Sequence, residues 1–365
     1  MRVIFAGGGT GGHINPAISI ADYAKSQDKD FEALFIGTKR GLESKLVPKA
    51  GYDIKYIDIA GFYRKNLLKN ISVVKKLIKA KKDTRRIIRE FKPDCIVCTG
   101  GYVSGPVTMA AHKEGINALI HEQNVYPGLT VKGSEKYVKY LALSFDETVN
   151  YMNAKDKCVV TGNPIRCEIL NEDKEAARKK LGIDKDFVLV FGGSLGAQKI
   201  NETVISILPE IKKKGDIKIL FGTGERNYDS VLKAAKDVGI ENDGDIEIVP
   251  YIDNMAEVMA AADIVVARSG AITVSEIAAL GKPSILIPSP NVVRNHQEQN
   301  AREFEKNFAA VVITEAELSK DVLFNKITDL LNDKEKLNTM AQNVGAMAKV
   351  DALEKIYELM IKMSK

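Results

Sequence analysis

The chain has 365 residues, 45% of them hydrophobic, and a formal net charge of +5. This length indicates two domains, and no segment reaches the roughly 18 uncharged apolar residues that a membrane-spanning helix needs. The apolar run at the start is far shorter than the roughly 7–15 residues of a signal-peptide core, so we expect a cytoplasmic protein.

The first predicted element is a short strand, VIFA, which leads directly into GGGTGGHINP. Gly7, Gly9 and Gly12 fit the GxGxxG pattern of dinucleotide-binding turns, but that pattern also requires an acidic residue about 20 residues further on. The second strand, EALFIG, ends instead in the basic run TKR at 38–40. A nicotinamide dinucleotide is therefore not the expected ligand.

The next distinctive segment, residues 64–92, holds twelve Lys and Arg against two acidic residues. Leu67, Ile71, Val74 and Ile78 follow helical spacing within it. Two interpretations stay open: a crossover helix that packs on its sheet, or a face that rests on anionic lipid. The chain has no Trp to anchor such a face. No aromatic-interleaved basic surface favours nucleic acid.

The pattern of strand, glycine turn and helix recurs at TGGYVSGP (99–106) and at GGSLGA (192–197). Each such turn directs backbone N–H groups and a helix dipole at one point, which is typical of phosphate sites. The alternative is that the glycines only permit tight turns. Three such loops favour more than one phosphate-bearing ligand.

Strand-like and helical runs alternate along nearly the whole chain, and the pattern starts twice. This predicts an α/β fold of two Rossmann-like, doubly wound parallel-sheet domains. We place the first domain at 1–165, with a C-terminal helix at about 346–365, and the second at 166–345. Ligands are expected beyond the carboxyl ends of the strands, in a cleft between the domains.

The segment RSGAITVSE (268–276) follows a strand and begins a helix that contains Glu276. A carboxylate there can accept hydrogen bonds from both hydroxyls of a ribose, while the helix N-terminus holds the attached phosphates. The alternative is an acidic residue that merely compensates the helix dipole.

We expect no metal site. Cys95 and Cys98 lie three apart on a predicted strand, so their thiols face opposite sides of the sheet. The DxD patterns at 28–30, 184–186 and 243–245 lie in polar turns before strands. A metal-dependent transferase needs such a pair at the carboxyl end of a strand.

Six motifs occur in this order along the chain: GGGTGGHINPA, TGGYVSGP, HEQN, GNPIR, GGSLGA and RSGAITVSE. Together they resemble the MurG family, bacterial N-acetylglucosaminyltransferases that convert lipid I to lipid II in peptidoglycan synthesis, and the resemblance spans nearly the whole chain. It implies the GT-B fold and an inverting transfer of GlcNAc from UDP-GlcNAc to the C4 hydroxyl of undecaprenyl-pyrophosphoryl-MurNAc-pentapeptide, with no cofactor.

The same resemblance implies where the protein works and with what. It implies UDP-GlcNAc, lipid I and other enzymes of cell-wall synthesis as partners, and a peripheral location on the cytoplasmic face of the cell membrane. Since the acceptor is lipid-anchored, anionic inner-leaflet lipid is the expected partner of the basic segment at 64–82.

The resemblance also implies roles for individual residues. Glu276 takes the ribose hydroxyls, Ile252 contacts uracil through its backbone, and Gln297 reaches the sugar. The residues implied for UDP-GlcNAc are Thr10, Gly11, Gly12, Asn124, Arg166, Ser194, Ile252, Ala271, Ile272, Thr273, Val274, Ser275, Glu276 and Gln297. Those implied for the acceptor pyrophosphate are Gly9, Gly100, Gly101, Tyr102 and Ser104.

An inverting transfer needs a base that takes the proton of the attacking hydroxyl. His13 stands at a predicted helix N-terminus, where the dipole disfavours imidazolium, so we expect a neutral ring that can accept a proton. His13 is the first candidate and Glu122 is its rival. An orienting or a structural role for His13 also stays open.

Two other classes of protein fit parts of the pattern. A UDP-GlcNAc 2-epimerase has a similar two-domain architecture but no use for the second loop, TGGYVSGP. A non-catalytic nucleotide-sugar sensor has no need of His13.

Overall fold

The computed structural model describes residues 1–61, 67–193 and 196–365, and for 67–71 and 167 the description covers the backbone only. The chain divides into two compact units. Unit 1 comprises Met1–Ile165 and Lys349–Lys365, and unit 2 comprises Arg166–Ala348.

Unit 1 is built on one parallel sheet in the order β3-β2-β1-β4-β5-β6-β7, seven strands among the described residues. The strands are β1 (Arg2–Ala6), β2 (Glu32–Gly37), β3 (Asp53–Tyr56), β4 (Cys95–Cys98), β5 (Ala118–Glu122), β6 (Tyr140–Leu143) and β7 (Cys158–Val160). The central strands CIVC and ALIHE are buried along their whole length, because helices cover both faces of a parallel sheet.

Helices of unit 1 lie on both faces of this sheet. They are α1 (Gly11–Gln27), α2 (Glu43–Lys49), α3 (Leu67–Phe91), α4 (Gly101–Glu114), α5 (Leu129–Ser134) and the last helix in the sequence (Ala352–Ser364). Short 3-10 helices lie at Glu135–Tyr137, Asp146–Tyr151 and Lys155–Lys157. The last helix packs with α1 against one face, whose core includes Ile20, Ile356 and Met360. α3 and α4 cover the other.

Unit 2 repeats the design with the order β10-β9-β8-β11-β12-β13, again all parallel. Its strands are β8 (Asp186–Phe191), β9 (Ile217–Gly222), β10 (Ile246–Val249), β11 (Ile264–Ala267), β12 (Ser284–Leu286) and β13 (Val311–Val312). Its helices are α6 (Cys167–Leu170), α7 (Lys174–Leu181), α8 (Gln198–Lys214), α9 (Tyr228–Asp237), α10 (Met255–Ala261), α11 (Ala271–Ala279), α12 (His296–Lys306), α13 (Lys320–Asn332) and α14 (Lys334–Ala346), and the helix Ala352–Ser364 of unit 1 is accordingly α15. Two 3-10 helices lie at Glu225–Asn227 and Val293–Asn295.

The prediction of two doubly wound parallel-sheet domains is confirmed. In each sheet the chain order reverses between two central neighbours, β1 and β4 in unit 1, and β8 and β11 in unit 2. Loops that leave such a pair at their carboxyl ends diverge and open a crevice for ligands. Within the described residues, no helix is long and apolar enough to cross a membrane.

Candidate functional site

The glycine loop between β1 and α1 is tightly packed at its first two glycines. A Cβ on Gly7 would overlap Oγ1 of Thr99, and one on Gly8 would lie 2.9 Å from a methyl group of Val103. Gly9 has a φ of +91°, in the left-handed region that favours glycine. Packing at Gly7 and Gly8 and the backbone conformation at Gly9 therefore favour glycine at these positions. The loop lies at the carboxyl end of β1.

A second loop, after β4, interlocks with the first. Gly100 and Gly101 have φ values of +101° and +73°, and a Cβ on Gly101 would overlap the carbonyl oxygen of Gly8. α1 and α4 begin at Gly11 and Gly101, each with no acidic residue in its first turn and no side-chain cap. Two helix N-termini thus open at neighbouring strand ends, an arrangement suited to an anion.

Side chains of the second loop hold this arrangement together. Ser104 is fully buried, and its Oγ lies 3.1 Å from the carbonyl oxygen of Ala6 and 2.7 Å from that of Gly100. The Tyr102 ring covers Gly9, where a Cβ would lie 3.3 Å from Cε1. Ser104, implied as a contact of the acceptor, therefore shapes the loop from inside.

His13 lies in the first turn of α1, half-buried. Its Nδ1 lies 3.2 Å from the carbonyl oxygen of Gly8 and 3.2 Å from Oγ1 of Thr10. Because a carbonyl oxygen only accepts, the bond to Gly8 places the proton of the neutral ring on Nδ1. Nε2 then carries the lone pair, on the ring edge that faces Gly100. This is the tautomer that a base acting through Nε2 requires.

Glu122, the rival base, is held by its own loop. Its Oε1 accepts from the backbone N of Asn124 (2.9 Å) and from Nδ2 of Asn124 (3.0 Å), and its Oε2 accepts from the N of Gly128 (2.7 Å). Burial raises the pKa of Glu122, although these donors oppose that rise. Its carboxylate orders residues 122–128, and both oxygens are already engaged.

The HEQN and GNPIR motifs meet in one buried polar network in unit 1. Nε2 of His121 donates to the carbonyl oxygen of Gly162 (2.9 Å), and Nδ2 of Asn163 donates to that of Gln123 (3.0 Å). Ser144 donates to Oδ1 of Asn163 (2.9 Å). Burial lowers the pKa of His121 to about 4. The network joins the carboxyl ends of β5, β6 and β7.

Unit 2 has its own glycine loop, after β8. Gly193 and Gly196 have φ values of +87° and +71°, and a Cβ on Gly196 would overlap the carbonyl oxygen of Thr223. Nδ2 of Asn201, in the first turn of α8, donates to that same oxygen (3.1 Å). Ser194, implied as a phosphate ligand, lies outside the described residues.

An ion pair at α11 joins two residues that were implied separately to bind UDP-GlcNAc. Nε and Nη2 of Arg166 lie 3.3 Å and 3.2 Å from Oε1 of Glu276. Burial raises the pKa of the Glu276 carboxyl, and the Arg166 guanidinium opposes that rise. The Arg166 side chain itself is 53% exposed. Glu276 lies within α11, a helix that has no acidic residue in its first turn.

The other residues implied to bind UDP-GlcNAc differ in how far their side chains are exposed. Ile252 is buried, and it packs on Gly222, where a Cβ would lie 2.9 Å from Cδ1. Val274 is fully buried, and its amide donates to Gly270. Oε1 of Gln297 accepts from the N of Ser289 (2.8 Å). Partly exposed on α11 are Ile272, Thr273 and Ser275, whereas Ala271 is buried.

The DxD patterns at 28–30 and 243–245 precede strands, whereas the one at 184–186 ends on Asp186, the first residue of β8. Asp28 accepts from the N-terminal amine (2.7 Å), and Asp243 accepts from the N of Ile246 (3.0 Å). Among the described residues, no group of three or more His, Cys, Asp and Glu side chains could hold a metal ion.

Family profiles and relatives cover both units. The glycosyltransferase family 28 N-terminal domain matches residues 3–142, and the family 28 C-terminal domain matches 187–356. The chain is 49% identical over 98% of its length to the UDP-N-acetylglucosamine–N-acetylmuramyl-(pentapeptide) pyrophosphoryl-undecaprenol N-acetylglucosamine transferase of Acetivibrio thermocellus, of which it covers 97%. It is 48% identical to the transferase of the same name from Thermoanaerobacter sp. strain X514, over 98% of this chain and 99% of that one.

A solved structure indicates the same family. The crystal structure of Acinetobacter baumannii MurG superimposes with a TM-score of 0.81 at 28% identity and covers 99% of both chains. The chain belongs to the MurG family. It is a glycosyltransferase, and the resemblance of its motifs to that family is confirmed.

The GT-B fold expected of a MurG family member is likewise confirmed. A UDP-GlcNAc 2-epimerase from Neisseria meningitidis, bound to UDP-GlcNAc, superimposes with a TM-score of 0.69 at 14% identity, over 99% of this chain and 100% of that one. At that identity the likeness shows a shared fold alone.

In this MurG family member, α3 carries two apolar rows, and only one of them packs. Val73 and Ala80 are buried, whereas Val74 and Ile78 are 45% and 67% exposed. The side chains of Leu67 and Ile71 lie outside the described residues. The helix therefore packs on its unit through one row, as the crossover interpretation predicts, and contact of the exposed face with anionic lipid stays a prediction.

Sequence reasoning missed one buried residue of the site, Glu43. It is the first residue of α2, where an acidic residue usually compensates the helix dipole, and so it attracted no attention. The sequence feature that could have revealed it is its position directly after TKRGL, the run that follows β2. A carboxylate at that position can accept hydrogen bonds from backbone N–H groups of two neighbouring loops.

Proposed function

We propose that this chain transfers GlcNAc from UDP-GlcNAc to the C4 hydroxyl of undecaprenyl-pyrophosphoryl-MurNAc-pentapeptide, the lipid I to lipid II step of peptidoglycan synthesis. The observation that carries the proposal is the pair of interlocked glycine loops in unit 1, from which two uncapped helices begin. The names of the relatives, at 48–49% identity over nearly the full chain, support the same reaction.

The acceptor pyrophosphate binds at these loops in unit 1. Its negative charges are matched by the helix dipoles of α1 and α4 and by the first amides of each helix. Among the described residues, no side chain caps either helix and competes for those amides. Gly100, Gly101 and Tyr102 line the second loop and stay predicted contacts of the acceptor.

The nucleotide sugar binds mainly to unit 2. The N-terminal half of α11 and Arg166 receive the diphosphate, and Glu276 receives the ribose hydroxyls. Since Arg166 and Glu276 pair with each other, the nucleotide replaces one partner for each of them: ribose for Glu276 and phosphate for Arg166. Contacts of the donor with Ser194, Ile252, Gln297 and, in unit 1, with residues 10–12 and Asn124 stay predictions.

The transfer itself is a single displacement with inversion. The C4 oxygen of the acceptor attacks the anomeric carbon, and the bond from that carbon to the β-phosphate oxygen of UDP breaks. Nε2 of His13 takes the hydroxyl proton. The electron pair of the broken bond leaves with UDP, whose charge the α11 N-terminus and Arg166 stabilise. Glu122 is a poor base by comparison because both its oxygens already accept hydrogen bonds.

A lipid-linked acceptor requires contact with a membrane surface. We assign this contact to the exposed face of α3, where Val74 and Ile78 stand beside Lys75, Lys79 and Lys82. No acidic side chain of the described residues pairs with these three lysines. The face supports peripheral attachment to anionic lipid on the cytoplasmic side.

One assay tests the function. Purified protein receives labelled UDP-GlcNAc with and without a lipid I analogue. We expect label in the acceptor product and none without acceptor. Epimerised UDP-sugar in the absence of acceptor would instead indicate an isomerase, and binding without turnover would indicate a sensor.

A further inference from the structure

A buried carboxylate ties the first glycine loop to its neighbour in unit 1. Glu43 is fully buried at the start of α2. Its Oε2 accepts from the N of Gly9 (3.1 Å), and its Oε1 accepts from the N of Thr38 (2.9 Å) and from Oγ1 of Thr38 (2.7 Å). The carboxylate thus joins the loop after β1 to the loop after β2.

The surroundings leave this carboxylate little room to move. A Cβ on Gly41 would overlap both its oxygens, and one on Gly8 would lie 2.8 Å from Oε1. Among the described residues no cation pairs with Glu43 within 4.0 Å. A buried carboxylate without a cation depends on its hydrogen-bond donors, so the two loops and Glu43 fix one another.

The loop needs such a tie because glycine is free in conformation. Gly9 has a positive φ and neighbours glycine on one side, and an untied run of glycines loses much conformational entropy when it binds a ligand. Preorganisation removes that loss from the binding step. The bond also commits the Gly9 amide, so a bound anion meets the amides that follow it at the start of α1.

We propose that Glu43 is a positioning residue that holds this loop in the conformation that receives the acceptor diphosphate. The inference rests on the proposed function for the identity of the anion. It assigns Glu43 no contact with substrate: the residue acts through the backbone of Gly9.

A purely electrostatic role of Glu43 predicts a different effect on anion binding. The carboxylate lies beneath an anion site, so removal of its charge would strengthen anion binding if Glu43 acted only electrostatically. Glu43→Gln removes the charge and keeps the volume, but its single oxygen leaves an NH2 group against the N–H of either Gly9 or Thr38. Glu43→Asp keeps the charge but shortens the side chain, so that it no longer spans both loops.

Glu135 provides a matched control. It is also buried in unit 1, and its Oε2 accepts from the N of Asn153 (2.9 Å) and from the N of Ala154 (2.9 Å). These contacts precede β7, at the opposite end of the sheet from the glycine loops. Glu135→Gln therefore repeats the same chemical change where no substrate contact is proposed.

The experiment measures KM for a lipid I analogue, KM for UDP-GlcNAc, hydrogen exchange of the amides at 7–12, and Tm. We expect Glu43→Gln and Glu43→Asp each to raise the acceptor KM about tenfold, within the range of a lost hydrogen bond to a charged group. The donor KM should rise less than the acceptor KM, because only residues 10–12 of this region are predicted donor contacts, and hydrogen exchange of the amides at 7–12 should accelerate. Glu135→Gln should lower Tm without either effect.

Three results would overturn the inference: an unchanged acceptor KM in both variants, a lower acceptor KM in Glu43→Gln alone, or an equal rise in both KM values. If neither variant folds, Gly41→Ala provides the test. Its methyl group forces the Glu43 carboxylate aside, and Gly41 has no positive φ that would strain the substitution. We expect this variant to raise the acceptor KM, and an unchanged acceptor KM would contradict the inference. Wild-type protein that fails to transfer GlcNAc would overturn the proposed function instead.

Discussion

At the scale of single residues, the partners of a side chain separate the candidates for chemistry from those for structure. The bond from Nδ1 of His13 to the carbonyl oxygen of Gly8 sets the ring tautomer that a base acting through Nε2 requires, whereas both oxygens of Glu122 accept hydrogen bonds from its own loop. Ser104 is buried against the loop backbone. The motifs suggested a base role for His13 and Glu122 and an acceptor contact for Ser104, whereas the hydrogen bonds of Glu122 and Ser104 hold their own loops in place.

If His13 is the base, two substitutions should have the same effect. His13→Ala removes the ring, and His13→Asn keeps an amide that can replace Nδ1 in the bond to Gly8. We expect both to lower kcat about 10²–10⁴-fold, the usual contribution of a general base, with little change in UDP affinity. Recovery of kcat in His13→Asn would assign the residue an orienting role. His112→Ala, on the exposed C-terminal part of α4, serves as the control.

The pair Arg166–Glu276 gives a second prediction at this scale. Glu276→Gln weakens hydrogen bonds to ribose and should lower UDP affinity roughly tenfold or more, as measured by calorimetry. Asp263→Asn is the matched control: Asp263 pairs with Lys174 and Arg178 before β11, at the amino end of the same sheet. The control should lose stability but bind UDP normally. Equal affinity losses in both would mean that Glu276 acts only through folding.

At the scale of elements, α3 illustrates how one helix serves two surroundings. Its buried row packs against α4, and Arg85 and Arg89 pair with Glu114 at the end of α4, which lowers the pKa of Glu114 to about 2. Part of the positive charge of the segment therefore holds the helix pair together. The lysines near Val74 and Ile78 are the part available to a membrane.

The exposed face of α3 should determine binding to anionic vesicles. Ile78→Asp removes apolar surface and adds a negative charge, so we expect co-sedimentation with vesicles of phosphatidylglycerol at low salt to fall at least several-fold. Val238→Asp, an exposed apolar residue of unit 2, is the control. Solution turnover with a short-chain acceptor should not change in either variant. Unaltered sedimentation of Ile78→Asp would exclude this face.

At the scale of the whole molecule, each unit depends on contacts between residues far apart in sequence. In unit 1, His121 on β5 bonds Gly162 beyond β7, and the last helix, α15, completes the core on the face of α1. In unit 2, Asp263 accepts from the N of Phe187 at the start of β8 (2.9 Å). Such contacts make stability sensitive to groups that take no part in the reaction.

His121 predicts how stability depends on pH. The unfolded chain protonates it below its ordinary pKa of 6.5, whereas the folded protein keeps it neutral down to about pH 4. Stability present at pH 7 is therefore lost as pH falls from about 6.5 to 4, by about 3 kcal/mol from this group. The raised pKa of Glu122 acts in the opposite direction at the acidic end.

The measurement compares Tm between pH 7 and pH 5 for the wild type and His121→Gln, whose amide can still donate to Gly162. We expect the variant to be less stable at pH 7 but to lose less of its Tm on acidification. A parallel decline of the two proteins would show that other groups cause the pH dependence.

Local features of the chain were readable without the fold. Apolar runs such as CIVC and VLVF predict buried strands, and a run of glycines that leads into a helix predicts a tight turn, because both depend on neighbours in sequence. The pattern of strand, glycine turn and helix starts twice along the chain, which predicted two doubly wound domains. The order of the six motifs gave the resemblance to the MurG family.

The tertiary structure alone decided which side chains meet. Glu43 reaches Gly9 across 34 positions, Arg166 reaches Glu276 across 110, and His121 reaches Gly162 across 41. Periodicity cannot reveal such pairs, because it reports which face of an element a residue occupies and not what another element brings to it. For this chain, sequence alone determined the elements, their class and the anionic chemistry expected of the loops' ligands, whereas packing determined which side chains hold the loops in place.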